Sequence, residues 1–170
     1  GRTFIMPGQS IRKDSVKKKL NTIEEEFTGK TVMIVDDSIV RGNTSRRIVE
    51  MAKQAGARQV YFASSAPPIV HPNVYGIDMP AREEYVAHDR TIDEIRETIG
   101  ADWLIYQELP DLIEACLGAG DHNLVNFDCS CFNGVYVTGG ITEEYLARIG
   151  GARSDAAKSE SSVEHADAAE

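Results

Sequence analysis

The chain has 170 residues, 42% of them hydrophobic and 26% charged, which suits one globular domain and excludes a fibrous or wholly disordered chain. No run of roughly 18 apolar residues occurs, so no membrane-spanning segment is expected, and the opening GRTFIMPGQS lacks the basic-then-apolar order of a secretory signal. The net charge of −9 argues against general nucleic-acid binding. The cysteines Cys116, Cys129 and Cys131 make no even disulfide framework and point to a reducing, cytoplasmic setting. Because the chain opens on Gly1, it reads as a segment of a longer protein.

Residues 1–30 concentrate cations, with Arg2, Arg12, Lys13, Lys17, Lys18 and Lys19 set against Asp14. An acidic protein that gathers cations in one stretch is suited there to a small polyanion rather than to a membrane. Pro7-Gly8 signals a loop, and Asp14 or Ser15 could cap a short helix through Leu20. Residues 31–35 (TVMIV) are too short for a helix and read as a buried strand. Two acids, Asp36 and Asp37, follow, and then a loop with Gly42. Ile48, Met51, Ala52 and Ala55 fall on one face of a helix, and Gly56 stands where a helix stops. Residues 59–64 (QVYFAS) form a second apolar strand, so the unit is βαβ and the sheet parallel.

Pro67, Pro68 and Pro72 then punctuate a loop. Thr91 with Glu94 three residues on is a capping box opening a helix that ends at Gly100. Residues 103–106 suggest a third strand, 109–117 another helix, and 132–137 an extended stretch. From residue 151 onward Val163 is the lone large apolar residue, so 151–170 are expected to be a disordered tail.

The turn after residues 31–35 carries the chemistry. Open α/β sheets bind ligands at the carboxyl ends of their strands. Gly42 lets the backbone approach an oxyanion, the next helix presents free N–H groups, and Asn43, Thr44 and Ser45 add donors. The carboxylates of Asp36 and Asp37 could accept hydrogen bonds from vicinal hydroxyls or sit near a hydrated Mg²⁺. Taken locally, the same features also fit solvated strand-end acids and an ordinary glycine helix start.

The whole string, apolar run, two acids and a loop ending in Gly-x-Thr, resembles the phosphoribosylpyrophosphate (PRPP) signature of type I phosphoribosyltransferases. The wording VDDSIVRGNTS, followed by SAPPIVHPNVYGID and FNGVYVT, resembles the glutamine PRPP amidotransferases from residue 1 to about residue 148. The resemblance implies an α/β fold with a parallel sheet of the type I phosphoribosyltransferase kind, incomplete in this segment, with C-terminal helices. Residues 31–150 would be the C-terminal part of that domain. Residues 1–30, whose GRTFIMPG and SVKKKLN are similar to the family's flexible loop, would be a basic lid and lead-in.

The same resemblance implies that Asp36 and Asp37 hold the ribose hydroxyls with Mg²⁺ nearby. Ser38, Arg41, Gly42, Asn43 and Thr44 would wrap the 5-phosphate, and Arg2 and Lys19 would contact pyrophosphate. Asn43 stands where the family usually has Thr. The implied reaction is transfer of ammonia, from glutamine hydrolysed in an N-terminal domain absent here, to PRPP, giving 5-phosphoribosylamine in the first step of purine synthesis. The implied partners are PRPP, glutamine or ammonia, and purine nucleotides as feedback inhibitors, in a homotetramer without nucleic acid or membrane. No side chain is assigned as acid, base or nucleophile, and the segment alone is expected to be inactive.

Some family members carry an iron–sulfur cluster on a Cys after His-Pro and a later Cys-x-x-Cys. Here Asn73 follows His71-Pro72 and the pair is Cys129-x-Cys131, so no cluster is expected; three thiolates fall short of the usual four. The cysteines read instead as small buried or half-buried residues, and His71 and His88 receive no role. Two alternatives use similar residues. A non-catalytic PRPP-sensing regulator would need a DNA-binding module, which is not visible. A phosphoacceptor receiver domain would need another strand-end Asp where Ala63-Ser64-Ser65 stands.

Overall fold

The computed structural model describes residues 24–120 and 123–153. Arg2, Lys19 and the rest of residues 1–23, including the expected helix to Leu20, lie outside the described residues, as do residues 154–170.

A single turn of helix, α1 (Glu24–Phe27), leads into β1 (Thr31–Asp36). The next elements are α2 (Asn43–Gln54), β2 (Gln59–Ser64), α3 (Ile92–Ile99) and β3 (Trp103–Tyr106). The three strands form a parallel sheet in the order β1-β2-β3, with Ile34 beside Phe62 and Phe62 beside Leu104. The architecture is α/β with a parallel sheet, as the βαβ pattern requires. Successive side chains on a strand point to opposite faces, so each strand offers two sets of residues. One set, Val32, Ile34, Val60, Phe62 and Leu104, packs with Val49 and Ala52 of α2 and Ile95 and Ile99 of α3 into the main core.

Among the described residues no helix covers the other face. Met33, Val35, Trp103 and Ile105 are 57%, 67%, 58% and 44% exposed, with Tyr61 and Ala63 between them. This corrects the expectation of a buried strand at residues 31–35. Their continuous apolar run is the composition of a strand covered on both sides, but among the described residues helices cover one face only.

The helix ends follow local rules. At the end of α2 the Gly56 N–H donates to the Lys53 carbonyl at 3.0 Å and the Ala57 N–H to the Ala52 carbonyl at 3.1 Å. With Gly56 at φ 87°, this is a Schellman stop. Thr91 and Glu94 form the expected capping box on α3, whose left-handed stop is Gly100. The buried stripe of α2 is Ser45, Val49 and Ala52, rotated from the expected face because Ile48, Met51 and Ala55 only flank it.

Helix α4 (Leu109–Gly118) forms where expected, with Pro110 in its first turn, but buries none of its residues. Residues 132–137 are not uniformly extended. Phe132 and Asn133 belong to a short helix, α5 (Ser130–Asn133), which Gly134 ends at φ 70°. Asp128 accepts the Ser130 N–H at 3.0 Å, an Asx turn just ahead of the N-cap Cys129 that bends the chain into this helix. The last helix, α6 (Glu143–Arg153), runs past residue 151. No helix of the described residues is long and apolar enough to cross a membrane.

Two substitutions separate the covered face from the exposed one. Phe62→Ala should cost about 3–5 kcal/mol in urea unfolding through the cavity it leaves, whereas Met33→Ala should stay within about 0.5 kcal/mol. Thr91→Ala, which removes the capping box, should fall between them at about 1 kcal/mol.

Candidate functional site

β1 ends at Asp36, and the chain turns through residues 37–42 into α2. The turn is held by two neighbours that enter different cores. Ile39 is buried in the main core, while Val40 packs against a second cluster of Ile69, Met79 and Tyr85. The Val86 N–H donates to the Val40 carbonyl at 2.8 Å. Gly42 lies at φ 75°, and a Cβ there would come 2.9 Å from the Val86 Cγ2. Glycine is therefore required twice, by the left-handed backbone and by the side chain behind it.

The turn opens onto one cavity of about 420 Å³. Asp36, Asp37, Ser38, Arg41, Gly42, Asn43 and Thr44 all line it, together with Val40, Ser45 and Pro80. These seven sequence-derived site residues are thus brought together; Arg2 and Lys19 lie outside the described residues.

The cavity has two chemically distinct sides. On one, α2 begins at Gly42, which supplies no side-chain cap, and its first turn carries no acid. The first N–H groups of a helix lack intrahelical partners and sit at the positive end of its dipole, so this end can receive an anion. On the other side stand the two carboxyl groups. The Asp37 N–H donates to Asp36 Oδ1 at 3.0 Å, and the Ser38 hydroxyl donates to Asp37 Oδ1 at 3.2 Å.

Burial pushes the Asp36 carboxyl upward; the Asp37 N–H opposes this, and the Asp37 charge adds to it. Among the described residues, no Lys or Arg forms an ion pair with either acid. A half-buried carboxylate lacking a cation gains from a bound cation or from hydroxyl donors. Paired oxygen ligands of this kind fit Mg²⁺, which takes one or two carboxylates and fills its remaining positions with water and substrate oxygens.

Sequence reasoning missed three residues of this region. Pro80 lines the cavity, Val86 backs Gly42, and Glu84 forms an ion pair with Arg41. They belong to a segment without helical or strand periodicity, where no local signal marks a site.

Elsewhere, His71 packs against Gly134, where a Cβ would lie 2.9 Å from its ring, and burial lowers its pKa, as in a packed neutral histidine. Cys129 and Cys131 are half-buried with thiols pushed up by burial, whereas Cys116 is exposed rather than buried.

Asp36→Asn tests the electrostatic cost of the site. A raised folded-state pKa penalises the ionised form, so the group lowers stability above that pKa and has no effect below the ordinary aspartate range. The variant should melt above the parent protein near neutral pH, and the gap should close as pH falls through the carboxylate range. Gly42→Ala should instead destabilise by about 1–3 kcal/mol at any pH, because its strain is steric.

No family model matches the chain. It is 58% identical over 161 residues to the amidophosphoribosyltransferase of Pseudomonas aeruginosa, covering 95% of this chain and 32% of that protein. It is 56% identical over 158 residues to the Escherichia coli amidophosphoribosyltransferase, covering 93% of this chain and 31% of that protein. Among solved structures it resembles the glutamine PRPP amidotransferase from Bacillus subtilis complexed with ADP and GMP, at 36% identity and a TM-score of 0.62. That match covers 86% of this chain and 33% of the solved one. A second structure, of the allosteric regulatory enzyme of purine biosynthesis, matches at 37% identity and a TM-score of 0.64, over 88% of this chain and 32% of that one. The chain thus spans about a third of the length of the relatives it matches, and over that third it belongs to the amidophosphoribosyltransferase family.

Proposed function

We propose that this chain forms the PRPP-recognition part of an amidophosphoribosyltransferase. The observation that carries the reading is the meeting, around one cavity, of an acid pair at a strand end and an uncapped helix start behind Gly42. A sugar phosphate has the matching halves: vicinal hydroxyls for the carboxylates of Asp36 and Asp37, and a phosphate for the donors of residues 38–44. Thr44 and Asn43 add side-chain donors, and Arg41 adds a guanidinium suited to phosphate oxygens. Arg2 and Lys19 are the candidates for the pyrophosphate.

The reaction is attack of ammonia on the anomeric carbon of the ribose as the bond to pyrophosphate breaks. The pair of electrons leaves with pyrophosphate, and the product is 5-phosphoribosylamine. Asp36 and Asp37 orient the ring, and the turn and the start of α2 fix the 5-phosphate, so the residues here act by positioning rather than by proton transfer. Asp36 and Asp37 would hold Mg²⁺, which would supply positive charge against the pyrophosphate. Water competes with ammonia for the same carbon, and a basic lid formed by residues 1–30 would exclude it.

Ammonia comes from glutamine hydrolysed by a part of the protein not contained in these residues. The protein works in the cytoplasm as a homotetramer, in the first step of purine synthesis. Purine nucleotides are its feedback ligands, a reading supported by the ADP and GMP named for the B. subtilis structure.

In the protein at its natural full length, Asp36→Asn and Asp37→Asn should each abolish PRPP turnover while leaving glutamine hydrolysis partly intact. Unchanged PRPP kinetics in both variants would overturn the assignment. The 170 residues alone should release no pyrophosphate from PRPP with either glutamine or ammonia; PRPP-dependent release by the isolated chain would contradict the division of labour proposed here.

A further inference from the structure

Two stretches far apart in the chain, residues 69–79 and 128–138, meet at the second apolar cluster. The Val70 and His71 N–H groups donate to the Cys131 carbonyl at 3.0 and 3.1 Å, and the Tyr136 hydroxyl donates to the Pro72 carbonyl at 2.8 Å. The Tyr75 ring lies 6.4 Å from that of Tyr136, and its hydroxyl accepts the Thr138 N–H at 3.3 Å. Cys131 and Phe132 pack against the same cluster of Ile69, Met79 and Tyr85 that receives Val40. Met79 precedes Pro80, which lines the cavity, and Val40 belongs to the turn that opens onto it.

Within this joint stands Asn73, 1% exposed. Its Oδ1 accepts the Tyr75 N–H at 2.8 Å and the Ile77 N–H at 3.1 Å, which fixes the amide with its NH2 turned the other way. That NH2 faces Asp128 Oδ2 at 3.5 Å, a long contact, while Asp128 Oδ1 accepts the Ser130 N–H at 3.0 Å. Asn73 thus shapes residues 73–77 from within and meets the start of the 128–138 stretch. A buried side chain that satisfies two backbone donors is costly to truncate, because both N–H groups lose their partner.

We propose that Asn73 is a positioning residue for the PRPP site: it sets the 73–79 loop against residues 128–138 and so fixes where Met79 and Pro80 stand at the cavity. This role rests on the PRPP reading above and adds to it a residue that is not among those lining the cavity. The link to the site is packing rather than charge. When the 73–77 turn loosens, Met79 is held less firmly in the cluster that receives Val40, and the phosphate turn loses the support of one of its two apolar anchors. The 5-phosphate does not react, so it is bound alike in the ground and transition states. Loosening its turn therefore weakens PRPP binding more than it slows the chemical step.

The test is made in the protein at its natural full length, read by PRPP kinetics and melting curves. Asn73→Ala should raise KM for PRPP by about 3- to 10-fold and leave kcat within about two-fold. Asn73→Ser, whose hydroxyl can still accept one of the two N–H groups, should recover part of the loss. Tyr136→Phe, which removes the bond to Pro72 from the other side of the joint, should raise KM as well. Val60→Ala separates positioning from stability. It opens a cavity in the main core beside Val32, near the opposite end of β1 from Asp36, and should lower the melting temperature with KM unchanged. If Asn73→Ala does not fold, Asn73→Ser is measured against the parent in its place. A KM unchanged in the folded Asn73 variant or in Tyr136→Phe, or an equal rise in Val60→Ala, overturns the role of Asn73, while the PRPP reading stands on Asp36→Asn and Asp37→Asn. A parent protein that binds no PRPP overturns both.

Discussion

Val86 closes on the turn between β1 and α2 from behind, and the site depends on that contact. Its N–H holds the Val40 carbonyl and its side chain leaves room at residue 42 for hydrogen alone. Gly42 then takes its left-handed conformation, α2 starts without a side-chain cap, and the N–H groups of its first turn are left for a ligand. The glycine thus serves packing and chemistry at once. A residue chosen only to let an anion approach the backbone would not need a valine behind it.

Stability and binding pull against each other across this cavity. The helix start gives up a side-chain cap, which with glycine in its place costs a few tenths of a kcal/mol. Asp36 is half-buried beside a second carboxyl group, with its pKa pushed up by burial. Both costs are offset by Ile39 and Val40, which pin the turn to two separate apolar clusters. Unsatisfied donors and strained charges persist at functional sites because surrounding packing holds them there.

The sheet shows an imbalance on a larger scale. On its covered face Val60 and Phe62 are fully buried against α2 and α3 and Val32 and Ile34 partly so, while Met33, Val35, Trp103 and Ile105 are exposed on the other. Parallel sheets are ordinarily covered on both faces. The strands therefore have the composition of a two-sided core, and the described residues supply one side of it.

Local chemistry was legible in the sequence. The β1–α2–β2 unit, the Thr91–Glu94 capping box and the stops at Gly56 and Gly100 follow from apolar periods and caps that act within about four residues. Those signals are strong because the interactions behind them close within one turn of chain. Asp36, Asp37, Gly42, Asn43 and Thr44 followed from the chemistry of a strand end and a helix start, while Ser38 and Arg41 came from the family resemblance alone. Three things were decided only by the tertiary structure: which sheet face is covered, the rotation of the buried stripe of α2 onto Val49, and the recruitment of Pro80, Glu84 and Val86 behind the turn. Each depends on partners far away in the chain, and no local period records where a distant valine or carboxylate will come to rest. Phe132 and Asn133 show the same limit at short range, since the Asx turn at Asp128 and the close approach of His71 to Gly134 accompany a helical turn where an extended stretch was expected.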